Sequence, residues 1–216
     1  NVYHIITMPI GNSRLDGLII ESGNADHLTD IDKNRGGGIF ISNPSSGSDN
    51  VMTNCVFRNN RAAENGGAIY AEAAGVITFS QCVFYSNIAL RGAASFIKMN
   101  GLNANAFDQN LYNVTALNNT ATFPTVGSAF EAEEVSSSFP ARINFYNSIL
   151  AGNLPQNYSD ISNPGHIMLN HTYAASSNSG IFKTSNGGTT WTNVQSGNFS
   201  KGNIRLRPSD PTTVYA

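Results

Sequence analysis

The hydrophobic positions of this chain return in columns. The phrase Asn54-Cys55-Val56-Phe57-Arg58-Asn59-Asn60 recurs as Gln81-Cys82-Val83-Phe84-Tyr85-Ser86-Asn87, as Asn113-Val114-Thr115-Ala116-Leu117-Asn118-Asn119 and as Asn147-Ser148-Ile149-Leu150-Ala151-Gly152-Asn153, with a looser copy from Leu18 to Asn24. Cys55, Cys82, Val114 and Ser148 form one column, and Phe57, Phe84, Ala116 and Leu150 form another two residues on. A period of two is a strand with one buried face. A further column, Met52, Phe79, Leu111 and Phe145, stands three residues before the first, a spacing that a straight strand cannot keep on one face. The chain must therefore bend near Asn54, Gln81, Asn113 and Asn147, whose amides tolerate unusual dihedrals and bond to nearby backbone.

A third strand follows each closing asparagine: Gly36-Gly37-Gly38-Ile39-Phe40, Gly66-Gly67-Ala68-Ile69-Tyr70, Gly92-Ala93-Ala94-Ser95-Phe96 and Val126-Gly127-Ser128-Ala129-Phe130, each closed by an aromatic. Steps of 27, 32 and 34 residues separate Asn60, Asn87, Asn119 and Asn153. Periods of this size belong to solenoids, whose units bury their apolar faces only against their neighbours. Three short strands, two corners and one loop of variable length per unit predict an all-β, right-handed parallel β-helix of about five coils over residues 1–153, stacked about 4.8 Å apart with like residue over like. The Phe, Tyr and Asn columns read as core and corner ladders.

Phe57-Arg58-Asn59-Asn60 and Phe84-Tyr85-Ser86-Asn87 match the pattern F-x-x-N, and Gly66-Gly67-Ala68-Ile69 matches G-G-A-I. These paired motifs resemble those of bacterial polymorphic outer-membrane proteins and related secreted, surface-anchored β-helix proteins of the pectin-lyase-like class, over about residues 15–153. Later coils depart from the pattern, with Ala116 in place of the Phe and Val126-Gly127-Ser128-Ala129 in place of G-G-A-I. The resemblance implies adhesion or surface display.

Beyond Asn153 the vocabulary changes. Residues 154–166 carry Pro155, Pro164 and Gly165 among polar residues, which reads as a linker. In residues 167–216, the run Gly180-Ile181-Phe182-Lys183-Thr184-Ser185-Asn186-Gly187-Gly188-Thr189-Thr190-Trp191 resembles the Asp-box hairpin of sialidase-like and sortilin-like β-propellers, with Asn186 where the family has Asp. An Asx side chain and glycines make the tight turn, and the Trp packs beneath it. Thr172-Tyr173-Ala174 returns as Val214-Tyr215-Ala216, and Arg207-Pro208-Ser209-Asp210-Pro211 takes the turn before that strand. This spacing predicts one incomplete propeller-type blade, since a propeller closes with about four blades or more.

Composition narrows the function classes. Charged residues make up 12% of the chain, which has 29 asparagines and 20 glycines, so the surface is one of amides and hydroxyls. A net charge of −2 gives no electrostatic footprint for nucleic acid or anionic lipid. No apolar run approaches the ~18 residues of a membrane span. The opening residues lack a signal-peptide layout and start mid-pattern without Met, which reads as a mature or excised piece of an extracellular or cell-surface protein. Sequons at Asn113, Asn118, Asn157, Asn170 and Asn198 carry no weight in a chain so rich in Asn, Ser and Thr.

Candidate chemistry is sparse. Asp26, His27, Asp30, Asp32 and Asn34 alternate oxygen ligands in the longest insert, a chemistry that suits Ca²⁺, but the spacing lacks the EF-hand glycine and terminal Glu. The loop reads as a solvated insert, with Asp26, Asp30 and Asp32 the sole metal candidates and no other cofactor expected. Glu131, Glu133 and Glu134 stand beside Phe130, and the first two can share a strand face. A polysaccharide hydrolase needs two carboxylates across a groove and a lyase needs a cationic base near Ca²⁺, yet Arg91, Lys98 and Arg142 form no recognisable grouping. Cys55 and Cys82, one coil apart, read as buried free thiols. With no catalytic residue assignable, the leading reading is a secreted or cell-surface structural or adhesive protein, glycan-contacting or filament-forming, that self-associates through its open strand edges. Its rival is a carbohydrate-active β-helix enzyme, a lyase or glycoside hydrolase; fold alone does not choose between them.

Overall fold

A computed structural model describes residues 3–8, 12–27, 29–42, 48–73, 75–99, 107–123, 128–133, 141–155, 158–160, 167–170, 172–176, 180–184, 190–196, 205–207 and 210–215. None of these is helical, and the strands follow a repeating order. The first coil holds β1 (Ile6–Met8), β2 (Arg14–Asp16), β3 (Ile19–Glu21) and β4 (Asn24–Ala25). The second holds β5 (Ile39–Ser42), β6 (Ser48–Thr53), β7 (Val56–Arg58) and β8 (Arg61–Ala62), and the third β9 (Ile69–Ala73), β10 (Gly75–Ser80), β11 (Val83–Tyr85) and β12 (Ile88–Ala89). The fourth holds β13 (Ser95–Met99), β14 (Phe107–Tyr112), β15 (Thr115–Leu117) and β16 (Thr120–Ala121). In the fifth come β17 (Phe130–Glu133), β18 (Ala141–Tyr146) and β19 (Ile149–Ala151), and in the sixth β20 (Tyr158–Asp160), β21 (Ile167–Asn170) and β22 (Thr172–Ser176).

Each strand pairs in parallel with its counterpart in the next coil. Sheet A runs β1-β5-β9-β13-β17-β20, sheet B runs β2-β6-β10-β14-β18-β21, sheet C runs from β3 to β22, and a narrow sheet D runs β4-β8-β12-β16. This is the stacked parallel β-helix that the columns predict. Its core is the inward column set: Phe57 stacks on Phe84 with ring centroids 4.8 Å apart, and Phe79 meets the two edge-on at 5.9 and 5.3 Å. Phe57, Phe79, Phe84 and Leu150 are all fully buried, and each such side chain stabilises the fold by roughly 1.5–3 kcal/mol.

Left-handed backbone makes the corners. The amides foreseen at the bend between sheets B and C, Asn54, Gln81, Asn113 and Asn147, have φ of 53°, 56°, 53° and 49°. A second corner falls on Asn59, Ser86, Asn118 and Gly152, with φ of 54°, 53°, 54° and 64°, and a third on Gly36, Gly66 and Gly92, with φ of 63°, 71° and 58°. The coil thus has three corners and four strands, one of each more than the pattern suggested. The additional strand is two residues long and turns Ala25, Ala62, Ala89 and Ala121 inward. The second glycine of G-G-A-I answers to crowding: a Cβ on Gly67 would lie 2.5 Å from the carbonyl oxygens of both Ile88 and Ala93.

The closing asparagines explain why F-x-x-N repeats. Asn60, Asn87, Asn119 and Asn153 are buried, and each Nδ2 donates to the next Oδ1 at 3.1, 2.8 and 2.9 Å. The same amino groups donate to the carbonyls of Ile20, Phe57, Phe84 and Ala116 in the preceding coil at 2.9 to 3.1 Å. Each Oδ1 also accepts a backbone N–H from the coil before it, from Gly23, Asn60, Asn87 and Asn119 in turn. A buried amide is tolerable because its donors and acceptor are engaged.

Two departures follow Ala121. The aromatic column was expected to run Phe40, Tyr70, Phe96, Phe130, but Phe96 is in register with Glu131 and Phe130 with Ser95. A slip of one residue moves a side chain to the opposite face. Ser95 is small, and Phe130 fills the core space beside it, edge-on to Phe84 at 5.5 Å and to Phe145 at 5.1 Å. The second departure concerns residues expected to form a linker at 154–166 and a blade from 167. β20 lies within that linker and pairs with β17, and β21 and β22 continue sheets B and C in parallel. Parallel pairing asks only for backbone amides, so it persists where side-chain columns have faded. After β22 the direction reverses: β23 (Gly180–Thr184) and β24 (Thr192–Gln195) extend sheet C as antiparallel strands, and β25 (Arg205–Arg207) pairs with β26 (Asp210–Tyr215). Trp191 is partly buried against the core of the coils. The Asn186-Gly187-Gly188 turn lies outside the described residues, as do Val126, Gly127, Glu134, Pro208 and Ser209.

Candidate functional site

Sheet A carries the densest chemistry. Its inward residues alternate with two outward columns, Phe40, Tyr70, Phe96 and Glu131, then Ser42, Glu72, Lys98 and Glu133. The outward aromatics are nonetheless buried, at 8%, 1% and 0% exposure for Phe40, Tyr70 and Phe96. They stack on one another at 5.6 and 5.9 Å, with His4 on the outside of Phe40 at 4.8 Å. Two arginines cover them. Arg35 and Arg91 each precede a left-handed glycine, Gly36 and Gly92, and their guanidinium groups lie 5.2 Å from the Tyr70 centroid and 5.0 Å from that of Phe96.

Carboxylates complete the layer. Arg91 Nε lies 2.7 Å from Glu131 Oε1 and Arg91 Nη2 lies 3.1 Å from Glu133, while Lys98 Nζ is 3.5 Å from the same Glu133. The Gly92 amide donates to Glu131 Oε2 at 3.2 Å. Two coils earlier, Arg35 pairs with Glu64 at 3.2 Å and donates to the Tyr70 hydroxyl, which itself donates to Glu72 at 2.6 Å. Burial pushes the Glu131 carboxyl above the ordinary range, against the opposing pull of Arg91 and the Gly92 amide. Burial, aided by the bond to Glu72, also holds the Tyr70 hydroxyl protonated.

The sequence expectation that Glu131 and Glu133 share a face is correct, and the one that Arg91 and Lys98 belong to no grouping is not. Their partners sit 35 to 42 residues away in sequence, and only the coil register brings them together. Arg142 stands apart on sheet B, in a two-bond pair with Asp108 at 2.6 and 3.0 Å. Hydrolysis needs one carboxyl free to give a proton and another to receive it or attack. Here Glu131 and Glu133 are both held by Arg91, and Lys98 is turned to Glu133, so the cluster is occupied by its own ion pairs.

The acidic insert is tied by its own side chains and packs against Tyr3 and His4. Lys33 lies 2.6 Å from Asp30 and pulls its carboxyl below the usual range. Asp30 Oδ1 accepts the Asp32 amide at 3.1 Å, His27 Nδ1 accepts the Asp30 amide at 2.9 Å, and Asp26 accepts from Asn24 at 2.7 Å. Among the described residues no group of three or more His, Cys, Asp or Glu is placed to hold a metal ion. Cys55 and Cys82 are buried and unbonded, and burial pushes the Cys82 thiol up to about 11, which keeps it an inert core group.

Residues 54–72 match the sequence model of the Chlamydia polymorphic membrane protein repeat. The matched stretch begins at the corner amide Asn54, passes Phe57, the ladder residue Asn60 and the Gly66-Gly67 corner, and ends in β9, so it runs through sheets C, D and A and covers three of the four strands of a turn. A repeat of this kind suggests a bacterial surface or outer-membrane protein. No curated protein and no solved structure matches the chain. Among the described residues, no helix is long and apolar enough to cross a membrane.

Proposed function

We propose that this chain is the rigid, outward-facing part of a bacterial surface protein, an adhesive or structural stack whose flanks contact glycans or other surfaces outside the cell. The observation that carries this reading is the match at residues 54–72, which takes in the corner residues Asn54, Asn59 and Gly66, the ladder amide Asn60 and the core aromatic Phe57. Such a repeat specifies a scaffold and leaves the flanks to vary. The ion-paired state of Glu131 and Glu133 weighs against the carbohydrate-active alternative. An incomplete Asp-box blade over residues 167–216 is supported by the antiparallel pair β23 and β24, while the parallel pairing of β21 and β22 favours counting those two strands with the coils. Self-association through the edge of the first coil fits the exposure of Ile5, Leu18 and Ile19 there.

Protease treatment of intact source cells tests the surface reading. Peptides of this chain are expected in the released fraction. Their appearance only after lysis overturns the proposal.

A further inference from the structure

Sheet B presents a different outer face. Along β18, Ala141, Ile143 and Phe145 point into the core, so Arg142, Asn144 and Tyr146 point out, each in register with Asp108, Asn110 and Tyr112 of β14. Tyr112 and Tyr146 stack at 4.6 Å with rings 10° from parallel, and Asn144 Nδ2 donates to Asn110 Oδ1 at 2.9 Å. In the coil before, Ser80 stands in register with Tyr112 and is much smaller, while Val76 and Thr78 are close in size to their partners Asp108 and Asn110. The face therefore has a step at one end, where the stacked Tyr112 and Tyr146 stand above Ser80 of β10 and close off a wall formed by the outward residues of β14 and β18. Tyr112 tops that wall over Ser80, and it is 38% exposed although its other face lies on Tyr146. Asn144 Oδ1 is buried and has no hydrogen-bond partner among the described residues.

We infer that this step is a binding site for a neutral oligosaccharide, resting a sugar ring on Tyr112 and setting its hydroxyls against Asn110 and the Asp108–Arg142 pair. The site deepens the surface reading above and rests on it for its biological setting. Aromatic faces hold the C–H side of a sugar ring, and amides and carboxylates hold its hydroxyls. Arg142 already neutralises Asp108, so the wall offers no net charge to an ionic ligand. From Asp108 to Tyr112 the wall runs four residues, about 13 Å at the rise of a strand, enough for two or three sugar units.

The test is calorimetric titration of the whole chain with neutral tetrasaccharides of glucose, galactose and N-acetylglucosamine, and with an oligogalacturonate. At least one neutral series is expected to bind with a Kd of about 1 mM or tighter. Tyr112→Ala is expected to weaken it at least about tenfold, Tyr112→Phe to leave it nearly unchanged, and Ser80→Tyr, which covers the free ring face without removing any wall residue, to abolish it. Thermal midpoints verify that the variants fold. Absence of binding by every neutral series, binding by the acidic oligomer alone, or binding indifferent to both Tyr112→Ala and Ser80→Tyr overturns the inference. A chain that is shaved from intact cells yet binds no sugar loses this site and keeps its surface role; a chain that binds sugar and is never shaved keeps the site and loses that role.

Discussion

Coils two and three are joined residue for residue: Phe57 on Phe84, Cys55 beside Cys82, Asn60 bonded to Asn87, Tyr70 over Phe40. From coil four to coil five the backbone ladder continues, while the side chains change identity, Leu150 for Ala116, Glu131 for the outward Phe96, Phe130 for Ser95. The difference separates what a coil must keep from what it can exchange. It must keep the left-handed corners and the amide at the end of F-x-x-N, because both answer to backbone groups that recur in every coil. It can exchange core identity so long as volume is conserved across neighbouring columns, as when a small Ser95 is met by a large Phe130.

The contrast can be broken most severely in the regular half. Phe84→Ala is expected to cost about 3–5 kcal/mol, read as a fall in denaturation midpoint, since the ring touches Phe57, Phe79 and Phe130 at once; an unchanged midpoint would remove Phe84 from the core. Next comes the amide ladder. Asn87→Ala strands the Asn60 amide, the Phe57 carbonyl and one face of Asn119, at about 1–3 kcal/mol for each group left unsatisfied after relaxation. An unchanged midpoint would mean that the ladder does not hold the coils together.

A smaller effect separates the halves by pH. The folded carboxyl of Glu131 lies above its unfolded value, so the native state holds its proton more tightly than the unfolded chain does. Stability contributed by this group is then greatest in acid and declines as pH rises from the ordinary value of 4.5 through the raised one. Glu131→Gln is expected to flatten that decline in a pH series of chemical denaturations, and a wild-type profile with no such decline would contradict the burial argument. The smallest expected effect is none: calcium should leave the thermal midpoint where it is, because Asp30 is already held by Lys33 and a ligand that does not bind the native state cannot stabilise it. A calcium-dependent rise that Asp30→Ala removes would reverse this.

How much of this was readable beforehand depended on whether a feature lies within one coil or between two. Corner amides, the Phe57 and Phe84 column and the asparagine ladder are local patterns and stood out in the letters. The alanine two places after Asn60, Asn87 and Asn119 was equally local, and the fourth strand could have been found there. Pairing of Arg91 with Glu131 and Glu133 was not legible, because it depends on a register that aligning Phe130 with Phe96 by letter sets one residue wrong. Aligning Gly127 with Gly92 instead gives the register seen. The step at Tyr112 also lies between coils, in the contrast between Ser80 and Tyr112, but the Phe79 and Leu111 column had already set that register. Strands β20 to β22 had no side-chain column to announce them.

The asparagine column has an electrical consequence. Its amides all point one way, carbonyl oxygens toward the first coil and amino groups toward the last, so their dipoles add head to tail as peptide dipoles do along a helix. Each bond in such a file polarises the next. The stack is therefore a directional object with a negative pole near Gly23 and a positive one near Asn153, and every further asparagine added in line strengthens those already there.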